Sequence, residues 1–162
     1  MATTENNSLS SCLNITFPYE VSIKFPGDLE YIPAVRKFIA ELLQVSAFSP
    51  KFAYRSEIIV DEICNNAVVY GCQTEDAEIE LKNEISKDRI EFTIKDQGGT
   101  KDNQRRLQKA ADNTTETSKE QEKAGLGLEI VRMLSERLDV IIDDENLTSV
   151  HIVRKREDEQ ND

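Results

Sequence analysis

The sequence predicts an α+β fold, a two-layer sandwich in which a mainly antiparallel mixed sheet carries helices on one face. Three observations lead to it. Short runs of alternating apolar and polar residues, the mark of half-buried strands, occur near both ends and in the middle of the chain. Between them lie stretches whose apolar residues recur at helical spacing. The two kinds of element do not alternate one for one, so the helices collect on one side of a largely antiparallel sheet. A chain of 162 residues holds one domain with one core and is too short for two ordinary domains.

In chain order, Leu13–Phe25 alternates on both sides of Pro18, with Leu13, Ile15 and Phe17, then Val21, Ile23 and Phe25, and reads as one or two strands. Pro26-Gly27 turns the chain. Asp28 then caps a helix with Leu29, Ile32, Val35, Ile39 and Leu42 on its apolar side and Phe38 and Leu43 beside them. Ser49-Pro50 starts a second helix, expected to run to about Tyr70 and to stop at Gly71. Its core stripe is Phe52, Ile59, Val60, Ile63 and Ala67. Strands are expected over Ala77–Ile85 and Arg89–Lys95. Thr100 to Lys123 is too polar to contribute a core. Gly125-Leu126-Gly127 is expected to open a helix carrying Leu128, Val131, Leu134 and Leu138, and Val140–Asp143 and Ser149–Arg154 are the last strands. Residues 1–12 read as a flexible leader, 13–155 as the domain and 156–162 as an acidic tail.

Composition removes several functional classes. Twenty basic residues against thirty-one acidic ones give a net charge of −11, a field that repels nucleic acid and anionic membranes. The longest apolar runs, such as Ile58–Val60 and Val140–Ile142, are far too short to span a bilayer. The amino terminus has neither the basic residue nor the apolar run of a targeting signal, so a cytoplasmic setting is expected. Cys12, Cys64 and Cys72 have no spacing that suggests a disulfide framework or a zinc site. The single histidine, His151, sits in a strand pattern and leaves His-based metal sites and triads almost no material.

Three features resist a purely structural account. Glu62 and Asn66 are four residues apart on the second helix, along the margin of its core stripe, where an unpaired buried polar group costs ~1–3 kcal/mol. Alone, the pair also reads as two solvated boundary residues. Asp96-Gln97-Gly98-Gly99 directly follows a strand. It reads either as a strand-end turn or as a carboxylate set to accept a hydrogen bond from a ligand, with glycines that let a ring approach the backbone. Gly125-Leu126-Gly127, with Lys123 ahead of it, reads either as a tight turn into a helix or as free amides at a helix N-terminus facing phosphate. It is neither a dinucleotide fingerprint nor a P-loop. Lys101, Arg105, Arg106, Lys109 and Lys119 supply local positive charge that the acidic total lacks.

Taken in order, these features resemble the Bergerat-fold ATPases of the GHKL superfamily over roughly Leu29 to Val153. Glu62-x-x-x-Asn66-Ala67 with Gly71 is similar to that superfamily's N box, Asp96-x-Gly98 to its first glycine box and Gly125-Leu126-Gly127-Leu128 to its second, with 100–123 as the ATP lid. Within the superfamily the short chain resembles the bacterial anti-sigma factor serine/threonine kinases. That resemblance implies ATP and Mg²⁺ as cofactors. It implies Asn66 as the Mg²⁺ ligand, Asp96 as the holder of adenine, Gly98 as the point where the nucleotide comes close, and Gly125, Leu126 and Gly127 around the phosphates. Lys123 would face the γ-phosphate, and Ser149 would stand for a family hydroxyl near adenine. Glu62 would be the catalytic base. The partners implied are an anti-anti-sigma protein of STAS type, phosphorylated on serine or threonine, and a sigma factor that is sequestered, with a homodimer as the assembly. A non-catalytic ATP-binding module for partner switching, or a detached histidine-kinase-type ATPase domain, are the alternatives. The sequence departs from the superfamily pattern at Tyr70, in place of a histidine, at Thr100, in place of a glycine, and at Lys123, in place of an arginine.

Overall fold

The computed structural model of the protein describes residues 16–112 and 121–157, and of 121–126 the backbone alone. The leader, Cys12, Leu13, Ile15, Lys119 and the tail beyond 157 lie outside the described residues.

Five strands form one sheet in the order β1-β2-β3-β5-β4: β1 Tyr19–Pro26, β2 Glu78–Ile85, β3 Arg89–Asp96, β4 Arg137–Ile142 and β5 Thr148–Lys155. Every pairing among them is antiparallel, so the parallel component implied by a mixed sheet is not present among the described residues. The alternation in the sequence sets which face is covered. Ile79, Leu81 and Ile85 of β2, Ile90, Phe92 and Ile94 of β3, and Val150 and Ile152 of β5 are buried under the helices. Glu91, Lys95 and His151 point to the bare face, where His151 Nε2 lies 3.0 Å from Glu91.

The helical layer is built in chain order. Asp28 caps a single 3₁₀ turn, Leu29–Tyr31, accepting a hydrogen bond from Glu30 N at 2.9 Å. Helix α1, Ile32–Val45, follows and buries Ile32, Val35, Ile39 and Leu43. Leu29 and Phe38 stay about half exposed, because Leu29 belongs to the tighter turn and the buried stripe passes through Leu43 instead. Ser49 Oγ accepts from Phe52 N at 3.1 Å and Pro50 takes the first position of α2, Pro50–Asn66. The expected stripe of Phe52, Ile59, Val60, Ile63 and Ala67 is buried throughout. From Ala67 to Gly71 the helix widens into one π-helical turn, a form often found at functional sites.

Two segments differ from expectation. Part of the polar stretch is a helix, α3, Lys101–Ala111, with Thr100 Oγ1 accepting from Asn103 N at 3.3 Å. The threonine that replaces a glycine therefore closes the first turn of α3. The segment also reaches the interior: Gln104 is only 5% exposed and Leu107 packs on the core. Helix α4 spans Gln121–Leu134, so Gly125 and Gly127 lie inside it and do not open it. Gln121, Glu122, Lys123 and Ala124 are good helix formers, and their combined preference outweighs the ~1 kcal/mol that each glycine costs. Leu138, expected on this helix, is in β4.

Arg154 ties the layers together at the far end of β5. Its guanidinium is buried over the Phe52 ring, 3.9 Å from the ring centre, and donates to Phe52 O at 2.5 Å, Ser56 Oγ at 2.7 Å, Leu134 O at 3.0 Å and Glu157 at 2.9 Å. One side chain thus joins α2, the end of α4 and the segment after β5.

Candidate functional site

Asp96 ends β3, on the helix-facing side of the sheet, and is 9% exposed. Its Oδ1 accepts from Gly98 N at 2.6 Å. Gly71, the last residue of the π-helical turn, lies directly against this carboxylate. A Cβ there would overlap Asp96 Cγ and both its oxygens. The expected end of the second helix is therefore also the wall behind Asp96. Burial pushes the Asp96 carboxyl up to about 6, with the Gly98 N–H acting the other way.

The loop after Asp96 is held by backbone contacts. Gly98 and Gly99 have φ of 90° and 60°, which side chains rarely allow. A Cβ on Gly98 would strike the Asn146 carbonyl, and one on Gly99 the Tyr70 carbonyl. Gln73 adds two stitches, its N–H to Gln97 Oε1 at 3.2 Å and its Nε2 to Gly99 O at 2.5 Å. The close approach at Gly98 that the sequence suggested for a nucleotide is made in this structure by the hairpin between β4 and β5. That hairpin is fixed by Asp143 Oδ1, which accepts from Glu145 N and Leu147 N, both at 2.9 Å.

Strand register decides which hydroxyl stands beside Asp96. Asp96 pairs with Thr148 and Lys95 with Ser149. Successive side chains point to opposite faces, so Thr148, 1% exposed, shares the Asp96 side and Ser149 faces the other way. Ser149, the hydroxyl that the resemblance implied beside adenine, therefore lies on the face of the sheet opposite to Asp96. The alternation of β5 carried the signal: Thr148 is in phase with Val150 and Ile152, Ser149 with His151. Gln104 was also missed, since nothing in a polar stretch marks one amide for burial. Its Nε2 donates to Asn146 O at 3.0 Å and to Thr148 Oγ1 at 3.4 Å.

Glu62 and Asn66 project from one side of α2. Gly127 of α4 packs against Glu62, where a Cβ would overlap Oε2. Burial raises the Glu62 pKa, and the neighbouring Asp61 charge raises it further. A carboxylate with a raised pKa is a better proton acceptor than an ordinary one. Asn66 Nδ2 is buried without a hydrogen-bond partner. Among the described residues there is no cluster of three or more His, Cys, Asp or Glu side chains able to hold a metal ion. An ion here would rest on the Asn66 amide oxygen together with ligand oxygens and water, which suits Mg²⁺. The residues present fit that ion only in company with a phosphate-bearing ligand.

The structure thus brings Asp96 and Gly98 together with Gly71, and Glu62 together with Gly127, with Asn66 one turn further along α2. Within α4 the amides of Gly125 and Gly127 fall at positions where a helix commits them to its own carbonyls, and they are not free as the sequence suggested. The side chains of Lys123 and Leu126 lie outside the described residues.

Residues 25–154 match the family model of the histidine kinase-like ATPase domain, and the chain is a member of that family. It is 26% identical over 124 residues to the serine-protein kinase RsbW of Bacillus pumilus, covering 74% of this chain and 76% of that protein. It is also 26% identical over 126 residues to the serine-protein kinase RsbW of Bacillus licheniformis, covering 76% and 78%. Among solved structures it is similar to a chain of the SiaB–SiaC complex from Pseudomonas aeruginosa, with a TM-score of 0.66 at 15% identity over 82% of this chain and 88% of that one. The last likeness concerns the fold alone.

Proposed function

We propose that the protein is a Mg·ATP-dependent serine/threonine protein kinase that phosphorylates an anti-anti-sigma partner of STAS type and, in a partner-switching system, sequesters a sigma factor. The observation that carries the reading is that two unlike carboxylates are each packed against a glycine, Asp96 against Gly71 and Glu62, one helical turn before Asn66, against Gly127, with burial raising the pKa of both. The likeness to two proteins named serine-protein kinases supports the same reaction class.

In this reading Asp96 accepts a hydrogen bond from the adenine amino group. Asn66 holds the cation, and Lys123 with Gly125, Leu126 and Gly127 surrounds the phosphates. Glu62 takes the proton of the attacking hydroxyl. Bound Mg·ATP supplies the transferable phosphoryl group, and its cation offsets the phosphate charge. A cytoplasmic homodimer belongs to the same proposal. No helix among the described residues is long and apolar enough to cross a membrane.

One observation bears on both the kinase and the switching module. With Gly125 and Gly127 inside α4, the amides that would grip phosphate fall where a helix bonds them internally, so phosphate binding there requires the start of that helix to uncoil. The deciding experiment incubates the protein with γ-labelled ATP and candidate STAS-type partners. Acid-stable label on a partner supports the kinase. Nucleotide binding without label in any partner leaves the switching module, and acid-labile label points to histidine chemistry.

A further inference from the structure

Gln104 is the buried residue of α3, whose other polar side chains lie at or near the surface. Both hydrogens of its amide nitrogen are directed inward, one to the Asn146 carbonyl at 3.0 Å and one to Thr148 Oγ1 at 3.4 Å. A carbonyl oxygen can only accept, so the nitrogen end of this amide must face Asn146. The same nitrogen then donates to Thr148. A hydroxyl that accepts at its oxygen keeps its own proton for another acceptor. Thr148 is register-paired with Asp96, and both lie on the helix-facing side of the sheet, where Gly98 N also holds the Asp96 carboxylate.

Asp96, an acceptor, and Thr148, whose hydroxyl is left as a donor, are therefore cross-strand partners of opposite polarity on one face of the sheet. The adenine edge presents the matching pair, an amino donor beside the ring acceptor N1. The guanine edge presents a carbonyl acceptor beside an N1–H donor and is mispaired at both points. We propose that Gln104 is a specificity-determining positioning residue, which fixes the Thr148 hydroxyl as a donor beside Asp96 and so selects adenine over guanine nucleotides. This rests on the reading of the site as a nucleotide pocket.

The test is calorimetric titration of ADP and GDP, with Mg²⁺, into the full chain and into Gln104→Leu, Gln104→Glu and Thr148→Val. The wild-type protein is expected to prefer ADP. Gln104→Leu, which cannot donate, and Gln104→Glu, which draws the Thr148 proton to itself, are each expected to lower the ADP-to-GDP affinity ratio about tenfold, the effect of one mispaired buried group. Combining either with Thr148→Val should add nothing to the change in ratio. If α3 simply loosens in the variants, both nucleotides weaken together and the ratio holds, which overturns the proposal while leaving the pocket intact. A wild-type protein that binds neither nucleotide overturns the pocket reading itself.

Discussion

Around Asp96 the site is closed by main chain. Gly71, Gly98 and Gly99 each meet a carboxylate or a carbonyl within the space a Cβ would need, and the hydrogen bonds of Gln73 and Gln104 stitch the loop to its neighbours. Around Glu62 the side chain rests on a helix, and among the described residues Gly127 is the glycine whose Cβ would strike it. The Asp96 end is thus fixed by packing between distant stretches, and the Glu62 end depends on how α4 begins. On the proposed function binding and turnover are then separable: substitutions near Asp96 should act on affinity, and substitutions near Glu62 on rate.

The strongest test of that separation is Glu62→Ala. Phosphotransfer to the partner should fall ~10²–10⁴-fold, the usual worth of a positioned base, with ADP affinity unchanged by calorimetry. Equal loss of both would erase the distinction between the two ends. Asp96→Asn should do the reverse and weaken ADP about tenfold to a hundredfold, the ~1–3 kcal/mol of a mispaired buried group.

The same substitution has a second consequence. Because Asp96 holds its proton up to about 6 in the folded chain, more tightly than it does unfolded, the folded state is favoured at low pH. Stability in denaturant titrations should decline as pH rises from the unfolded carboxylate range to about 6 and stay lower above it. Asp96→Asn should remove that slope and raise stability at pH 7 by on the order of 2 kcal/mol. Adenine nucleotide affinity should weaken as pH falls below about 6, where the carboxyl loses its charge.

Gly127→Ala comes next in size. It should cost about tenfold in transfer by shifting the end of the Glu62 side chain, while stability changes by ~1 kcal/mol or less, since alanine suits a helix interior better than glycine. Ser149→Ala marks the lower limit: on the opposite face of β5, it should leave ADP affinity within about twofold.

Much of this was legible in the sequence because it rests on periodicity. The strands, helices α1 and α2 and the buried stripe of α2 follow from apolar spacing, and Glu62, Asn66 and Asp96 from polar residues in positions that packing alone does not explain. What escaped was set by tertiary register. Thr148 shares the Asp96 side of the sheet, and Ser149 does not, because β5 meets β3 with a particular parity. Gly71 reads as a helix terminator until Asp96 is seen against it. Helix α3 has no apolar stripe to announce it, and the start of α4 depends on a balance between glycines and the helix formers before them.

The guanidinium of Arg154 sits at the opposite end of the molecule from Asp96, anchored to carbonyls of α2 and α4 alike. Those helices carry Glu62 and Gly127. With their remote ends held by the same cation, the seating of Gly127 on Glu62 depends on a contact far from either residue. A substitution at Arg154 should therefore be felt in how closely α2 and α4 pack.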